Sequence, residues 1–459
     1  MQPWPRPDVP RLPGGGRPLR LYDTATGELR PTAPGPTARM VVCGVARHDG
    51  TSLGDAAAFL AFDLVQRMWL DAGHDVLAVT DLVDPPDPTD EPDLAGKPQP
   101  DDRPAVAEEG AAVHREDMAF LRMLPPAGLS GAAEAVPRIV ALVRGLLDAG
   151  AAYELDGDVH FAVDSDPRFG YVSGLDTRAM LALAGGGPNR PGRKNPLDPV
   201  LWRAARPGEP ARDRGLGPGG PGPHVGCAAT ALDLLGDPLD VLGGGGDLVF
   251  PHHELAAAQA EVATGRWPFA RSFVHARTPG SPDRVARLRA DGAEAGALRL
   301  ALLAGHYRAG RDRTPVPPTP PTPPNGATAP TRPTRPNAPT RPTRPTAATA
   351  ATAATAPTAA TAPTAATAAT ATAATATALA AAGERLARWR AAVALPGGPA
   401  AGPALDRVRD RLADDLDTPA ALTAVDRWAA AATAAGGGPD PDAPSTVRAL
   451  ADALLGVAL

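Results

Sequence analysis

The chain has 459 residues, enough for about two or three domains with a full core. Its formal charge is −6, its pI is near 5.9, and lysine occurs only at Lys97 and Lys194, a balance that argues against a basic nucleic-acid-binding protein. Two cysteines in this length make no disulfide framework, and the absence of a leader pattern or of about 18 consecutive apolar residues leaves no signal peptide or membrane span to expect, so a cytoplasmic protein is predicted.

Residues 1–19 are rich in Pro and Gly and read as a disordered segment. Leu21–Leu29 alternates around a Thr-Gly turn and predicts a hairpin. Val41–Val45 reads as a buried strand. Asp55–Leu70 places Phe59, Phe62, Leu64, Val65, Met68 and Trp69 at helical spacing, and Asp75–Thr80 is a second strand. Strand, loop, helix and strand in this order make a βαβ unit, with ligands expected at the carboxyl ends of the strands. Residues 85–104 are acidic and Pro-rich and read as a loop. Val136–Ala149 is an amphipathic helix and Asp158–Val163 alternates as a strand, whereas 185–223, rich in Gly, Pro and Arg, reads as irregular. Val241–Asp247 is a strand ending in a run of glycines that admits close approach of a ligand to the backbone, and His252–Thr264 is a helix. Pro-Thr-Arg and then Ala-Thr repeats fill 314–377, a low-complexity linker whose Ala-rich end runs toward a helix at Leu379–Leu395. Residues 405–435 and 445–459 read as helices of a small bundle. The resulting division is 1–19, a catalytic unit over 20–310, a linker over 311–377 and a helical unit over 378–459.

Cys43 ends the Met40–Gly44 run, Cys227 follows His224-Val225-Gly226, and His252 follows Phe250-Pro251. Two thiolates and one imidazole would make a three-ligand zinc site with an open fourth position, the catalytic form of such a site. A free thiol could fill that position as a thiolate. The plainer alternative is that each cysteine is a small buried hydrophobe, because no CxxC knuckle is present.

Taken together, several motifs resemble class I cysteinyl-tRNA synthetases, and more closely the related cysteine ligases of mycothiol biosynthesis. They are Cys43-Gly44, Thr51-Ser52-Leu53-Gly54-Asp55, His224-Val225-Gly226-Cys227 and Gly245-Gly246-Asp247-Leu248-Val249-Phe250-Pro251-His252-His253-Glu254. Arg20–Gly27, Asp71–Val76, Arg190-Pro191-Gly192, Pro196-Leu197-Asp198, Leu201-Trp202-Arg203, Leu302–Arg308 and Asp414–Pro419 add to the likeness, which spans roughly 19–310 and 379–459. The resemblance implies an α/β fold: a Rossmann-like catalytic domain of the class I synthetase type, followed by a C-terminal α-helical domain. It implies ATP-dependent activation of L-cysteine as cysteinyl adenylate and transfer to the amine of glucosaminyl-inositol, by a monomer that binds neither membrane nor nucleic acid. Carried over, zinc falls to Cys43, Cys227 and His252, the adenylate to Gly245, Gly246 and Asp247, and the cysteine pocket to Gly44. Asp247 also fits a helix N-cap role.

The chain departs from the family at the motifs that handle ATP. The family's His-x-Gly-His signature is here Ser52-Leu53-Gly54-Asp55, so imidazoles are replaced by a hydroxyl and a carboxylate. Loss of such donors costs about 3 kcal/mol or more of transition-state stabilisation. The second signature, Lys-Met-Ser-Lys-Ser, has no counterpart after Phe273-Val274-His275-Ala276, where Arg277 and Arg284 are the only cations before Arg287. Ala46, Ala58 and Val83 replace family threonines, Pro223 a Trp and Gly226 a Glu. Two alternative functions therefore share the same motifs: a catalytically silent zinc- and cysteine-binding homologue, and a cysteinyl-tRNA synthetase.

Overall fold

The computed structural model describes residues 3–45, 50–83, 103–184, 191–206, 214–277, 283–309 and 365–459. Its centre is a five-stranded, fully parallel sheet. From one edge the strands are Phe273–Ala276, Val241–Gly245, Thr37–Val45, Asp75–Val83 and Gly128–Gly131. The chain builds outward from Thr37–Val45 in one direction and then returns to its other side with Val241–Gly245. The strand order therefore reverses between these two neighbours, which pair Met40 with Val241 and Val42 with Gly243. Their carboxyl ends, where Cys43 and Gly245 stand, form the switch-point crevice of a doubly wound α/β fold.

The Leu53–Asp71 helix connects Thr37–Val45 to Asp75–Val83, as the apolar spacing predicts. It begins at Ser52, whose hydroxyl accepts the Asp55 N–H at 3.0 Å. It can lie close to the sheet because two strand positions are glycine. A Cβ on Gly44 would come within 2.2 Å of Phe59 Cζ, and one on Gly243 within 2.2 Å of Phe62 Cε1. The hairpin is present as Arg20–Asp23 paired with Glu28–Pro31.

Two sequence expectations need correction. Residues 3–19 pack against the fold: Trp4 is buried with its indole N–H on the Met123 carbonyl at 2.8 Å, the Gly16 N–H reaches the Asp71 carbonyl at 3.1 Å, and Leu19 is buried. Nothing in the local pattern marks these contacts, because their partners lie far along the chain. The stretch read as irregular over 185–223 contains two strands, Val200–Ala204 and Gly219–Pro221, which join Ala152–Leu155 and Asp158–Phe161 in a four-stranded antiparallel sheet. Gly-Gly-Pro at the edge of that sheet carries no side-chain alternation to read. Residues 85–102 and 310–364 lie outside the described residues, and the longest described helix begins before the linker boundary at 377, running Ala365–Val393. Alanine's high helix propensity favours this extension.

The helices Ala365–Val393, Gly402–Ala413, Thr418–Ala435 and Ala443–Leu455 share one apolar core with the Leu53–Asp71 helix. Among the described residues no helix is long and apolar enough to cross a membrane. At the junction lies a buried charged cluster. Asp63, Arg67 and Arg299 are each no more than 2% exposed. Asp63 accepts from Arg67 Nε at 2.8 Å, from the Leu124 N–H at 2.7 Å and from Arg299 Nη2. The second positive charge is offset by carbonyls at the end of the last helix: Arg67 donates to Asp452 and Ala453, and Arg299 to Leu455. A helix carboxyl end carries negative partial charge, so it suits a guanidinium.

Asp63→Ala leaves two buried arginines short of their counter-charge and is expected to cost about 3–5 kcal/mol, measured as a fall in the urea midpoint. A second expectation concerns Glu261, which is buried, accepts from Tyr171 Oη at 2.6 Å and the Phe269 N–H at 2.9 Å, and is pushed up from 4.5 to about 7, chiefly by burial. Between those values the unfolded chain has released a proton that the folded chain keeps, so this group's contribution falls as pH rises from about 4.5 to 7. The stability difference between the native protein and Glu261→Gln should therefore shift in favour of the Gln variant from pH ~5 to pH ~8, read by urea titration at both; a pH-independent difference would contradict the assignment.

Candidate metal and ligand site

Cys43 and Cys227 are 184 residues apart in sequence, yet their sulfurs stand 2.8 Å apart. Both are buried free thiols, at a separation well beyond the roughly 2.05 Å of a disulfide. Cys43 arrives on the central strand. Cys227 arrives on the first turn of the Gly226–Leu234 helix. His252 and His253 come from the kinked turn before the Glu254–Thr264 helix and are 3% and 0% exposed. Buried Glu254 pins that turn, accepting the backbone N–H groups of Gly170 at 2.8 Å and Ser173 at 2.7 Å. One ligand atom from each of Cys43, Cys227, His252 and His253 lies within 4.8 Å of the others.

Burial controls the charge state. It raises the Cys43 thiol well above its ordinary range. At Cys227 the hydrogen bond from Cys43 favours the thiolate, but burial and nearby Asp81 outweigh it, and that thiol is raised as well. Burial also holds His252 and His253 well below the usual imidazole range, so both are neutral and offer lone pairs. A bound dication inverts this balance, because it stabilises thiolates directly. The donor set fits such an ion. The Nε2 atoms of His252 and His253 are buried and make no hydrogen bond. Zinc–sulfur and zinc–nitrogen bonds of about 2.3 and 2.0 Å need ligand separations of roughly 3.3–3.8 Å, so the sulfurs would open by about 1 Å around zinc.

The predicted ligands Cys43, Cys227 and His252 are thus brought together. His253, present in the motif but not assigned as a ligand from the sequence, joins them, and its Nδ1 shares a 2.8 Å hydrogen bond with His275 Nε2. His275 Nδ1 in turn meets Thr24 Oγ1 at 2.8 Å. On the other side, His224 Nδ1 stands 3.4 Å from His252 Nδ1. His224, His252, His253 and His275 occur in three separate motifs of the sequence, and only the adjacent pair His252-His253 signalled that imidazoles would lie side by side.

Next to the sulfurs is a pocket lined by Cys43, Gly44, Asp55, Phe59, Gly245 and Asp247, among others. Gly44, Gly245 and Asp247, the residues read as cysteine and adenylate contacts, line this one pocket, and Gly246 opens the short turn that follows. Asp55 of the altered signature faces the same pocket. Its Oδ2 accepts from Ser52 Oγ at 2.6 Å, and Gly54 is buried in the first helical turn. Ala58 also lines the pocket, whereas Ala46 lies outside the described residues. Arg277 turns elsewhere: its Nη1 donates to the Ala309 carbonyl at 2.7 Å. Arg284 comes near the signature through a backbone bridge to Ser52, and 278–282 lie outside the described residues.

Residues 32–278 match the family described as tRNA synthetases class I (C) catalytic domain. Over its full length and theirs, the chain is 46% identical to a Streptomyces griseus protein and 45% identical to proteins of Streptomyces avermitilis and Thermomonospora curvata, each named L-cysteine:1D-myo-inositol 2-amino-2-deoxy-alpha-D-glucopyranoside ligase. Among solved structures, Mycobacterium tuberculosis methionyl-tRNA synthetase in complex with methionyl-adenylate aligns at a TM-score of 0.48 and 12% identity, covering 91% of this chain and 89% of that one. The parallel sheet, the switch-point site and full-length identity of this order together make the chain a member of the class I cysteinyl-tRNA synthetase-like family, on the branch of these cysteine ligases.

Proposed function

We propose that the protein is an ATP-dependent ligase that activates L-cysteine as cysteinyl adenylate and transfers it to the amine of glucosaminyl-inositol. The observation that carries this reading is the convergence of Cys43, Cys227 and His252 on the same crevice as Gly44, Gly245 and Asp247. Zinc, when bound by Cys43, Cys227 and His252, would supply a soft fourth position that prefers a thiolate to a serine hydroxyl. The chain's own residues would do the positioning. Gly44 lets the Phe59 ring pack against the strand beside the thiol, and the backbone at Gly245 and Gly246 would allow the nucleotide to approach closely. Asp247 would accept from ribose hydroxyls. The cysteine carboxylate oxygen would attack the α-phosphorus of ATP with pyrophosphate leaving, and the acceptor amine would then attack the acyl carbon, displacing AMP and forming the amide.

Residues 20–310 would form the catalytic unit and 378–459 the helical one. Two buried free thiols suit a reducing cytoplasm. A monomer is the expected form. One observation favours the second reading, a silent homologue that binds thiols without adenylation: the family's imidazole positions are Ser52 and Asp55, hydrogen-bonded to each other.

The purified chain should hold about one zinc, and Cys43→Ala or His252→Ala should lose it, measured by elemental analysis; full metal in both variants would remove the site. Cysteine-dependent exchange of labelled pyrophosphate into ATP, with serine as control, tests the chemistry. Exchange with cysteine alone is expected of the ligase, and its absence in protein that binds cysteine would establish the silent homologue.

A further inference from the structure

The turn that starts the Leu53–Asp71 helix is held from outside by the Arg103–Phe120 helix. Gly50 enters this turn with φ +95°, and a Cβ there would stand 3.0 Å from Ala286 Cβ and 3.5 Å from Asp117 Oδ2. Only glycine suits both the backbone angle and the space. Thr51 follows, buried, with each of its polar groups engaged. Its N–H donates to Asp117 Oδ2 at 2.9 Å, its hydroxyl lies 3.4 Å from His114 Nδ1, and its carbonyl accepts the Val285 N–H at 2.9 Å. The His114 ring also meets Phe59 edge-on, with centroids 4.9 Å apart, and Phe59 lines the pocket beside Cys43. Both holding residues are buried, and both keep one polar atom without a hydrogen bond: Nε2 of His114 and Oδ1 of Asp117. Arg289 Nη2 comes no closer than 4.0 Å to that carboxylate oxygen. An apolar side chain would cost less at either position in a dry interior, so stability alone does not account for them.

We infer that Asp117 and His114 are positioning residues for cysteine activation, acting through Thr51 and Phe59. Asp117 fixes the backbone one residue before Ser52, and His114 braces both the Thr51 hydroxyl and the Phe59 ring. Together they set the helical wall of the pocket against the strand wall that carries Cys43, Gly245 and Asp247. The two walls are held independently, since the metal-site residues are anchored by Glu254 and His275 and not by the Arg103–Phe120 helix. Losing Asp117 therefore frees the helix start while the metal donors stay in place. The inference rests on the ligase reading, because the misplacement it describes is felt in the reacting geometry and not in the hold on zinc.

The test compares the full chain, as purified with its metal, with Asp117→Leu, Asp117→Asn and His114→Phe, in cysteine-dependent exchange of labelled pyrophosphate into ATP. A shift of about 1 Å in a reacting geometry can cost about a hundredfold in rate, so Asp117→Leu should lower kcat by about ten- to a hundredfold. Its KM for cysteine should stay within about threefold of native, and its zinc content should be unchanged. Asp117→Asn keeps an oxygen that accepts the Thr51 N–H and should recover most of the rate. His114→Phe keeps a ring against Phe59 but loses the Thr51 contact; it should show the same split, and it carries the test should Asp117→Leu fail to fold. Native kcat in Asp117→Leu or, where that variant does not fold, in His114→Phe would overturn the inference while leaving the ligase reading intact. So would an equal loss in Asp117→Asn and Asp117→Leu, or a loss that appears only together with lost zinc. No exchange by the native chain would remove the ligase reading, and this inference with it.

Discussion

Burying the Asp63 carboxylate between Arg67 and Arg299 holds the rest of the architecture in place. Two guanidinium groups in a dry interior need more than one carboxylate, and the shortfall is met by the Leu121 and Arg122 carbonyls and by the carboxyl end of the last helix. The consequence is geometric. The Leu53–Asp71 helix, the Ala295–Leu303 helix and the C-terminal helix are locked to one another at the same point. A buried ion cluster of this kind adds little net stability over an apolar one, but breaking it is costly, so it enforces one arrangement. The helix it locks is the one that starts at Ser52 and presses Phe59 and Phe62 onto Gly44 and Gly243.

The site illustrates how burial and metal binding oppose each other. Without a cation, a dry crevice keeps thiols protonated and imidazoles neutral, the direction that burial sets for Cys43, Cys227, His252 and His253. The same dryness makes a dication the natural partner, since it meets little competing solvent and finds unpartnered nitrogen atoms waiting. The surrounding polar contacts hold the donors in position. Glu254 fixes the histidine turn, and His275 with Thr24 orients His253.

Beside this cluster, Asp55 stands where the related synthetases carry an imidazole, and the Ser52–Asp55 pair keeps the helix start intact. Local structure and chemistry are therefore separable here. The capping interaction preserves the fold of the motif although its side chains differ from those of the related synthetases.

Much of the frame was legible in the residues themselves. Alternation around Thr26-Gly27 marks the hairpin, the spacing of Phe59 to Trp69 marks the helix, and apolar runs at Val41 and Val241 mark the central strands, because these patterns are local and one side of each element is buried. The three candidate metal ligands Cys43, Cys227 and His252 and the glycine turn also stood out in the sequence, through motif resemblance. What remained hidden depends on partners distant in sequence. The 2.8 Å approach of two sulfurs 184 residues apart, the inclusion of His253, the packing of Trp4 against Met123 and the edge strand Gly219–Pro221 have no local periodicity. Nor does any pattern in residues 53–71 announce that Asp63 will be buried between two arginines, or that Asp55 will share a pocket with Cys43. The sequence by itself determined the helices and strands that carry a local apolar pattern and which side chains can bind a metal; the tertiary structure alone decided which of them meet and added the edge strands, because burial, pairing and charge compensation depend on distance in space.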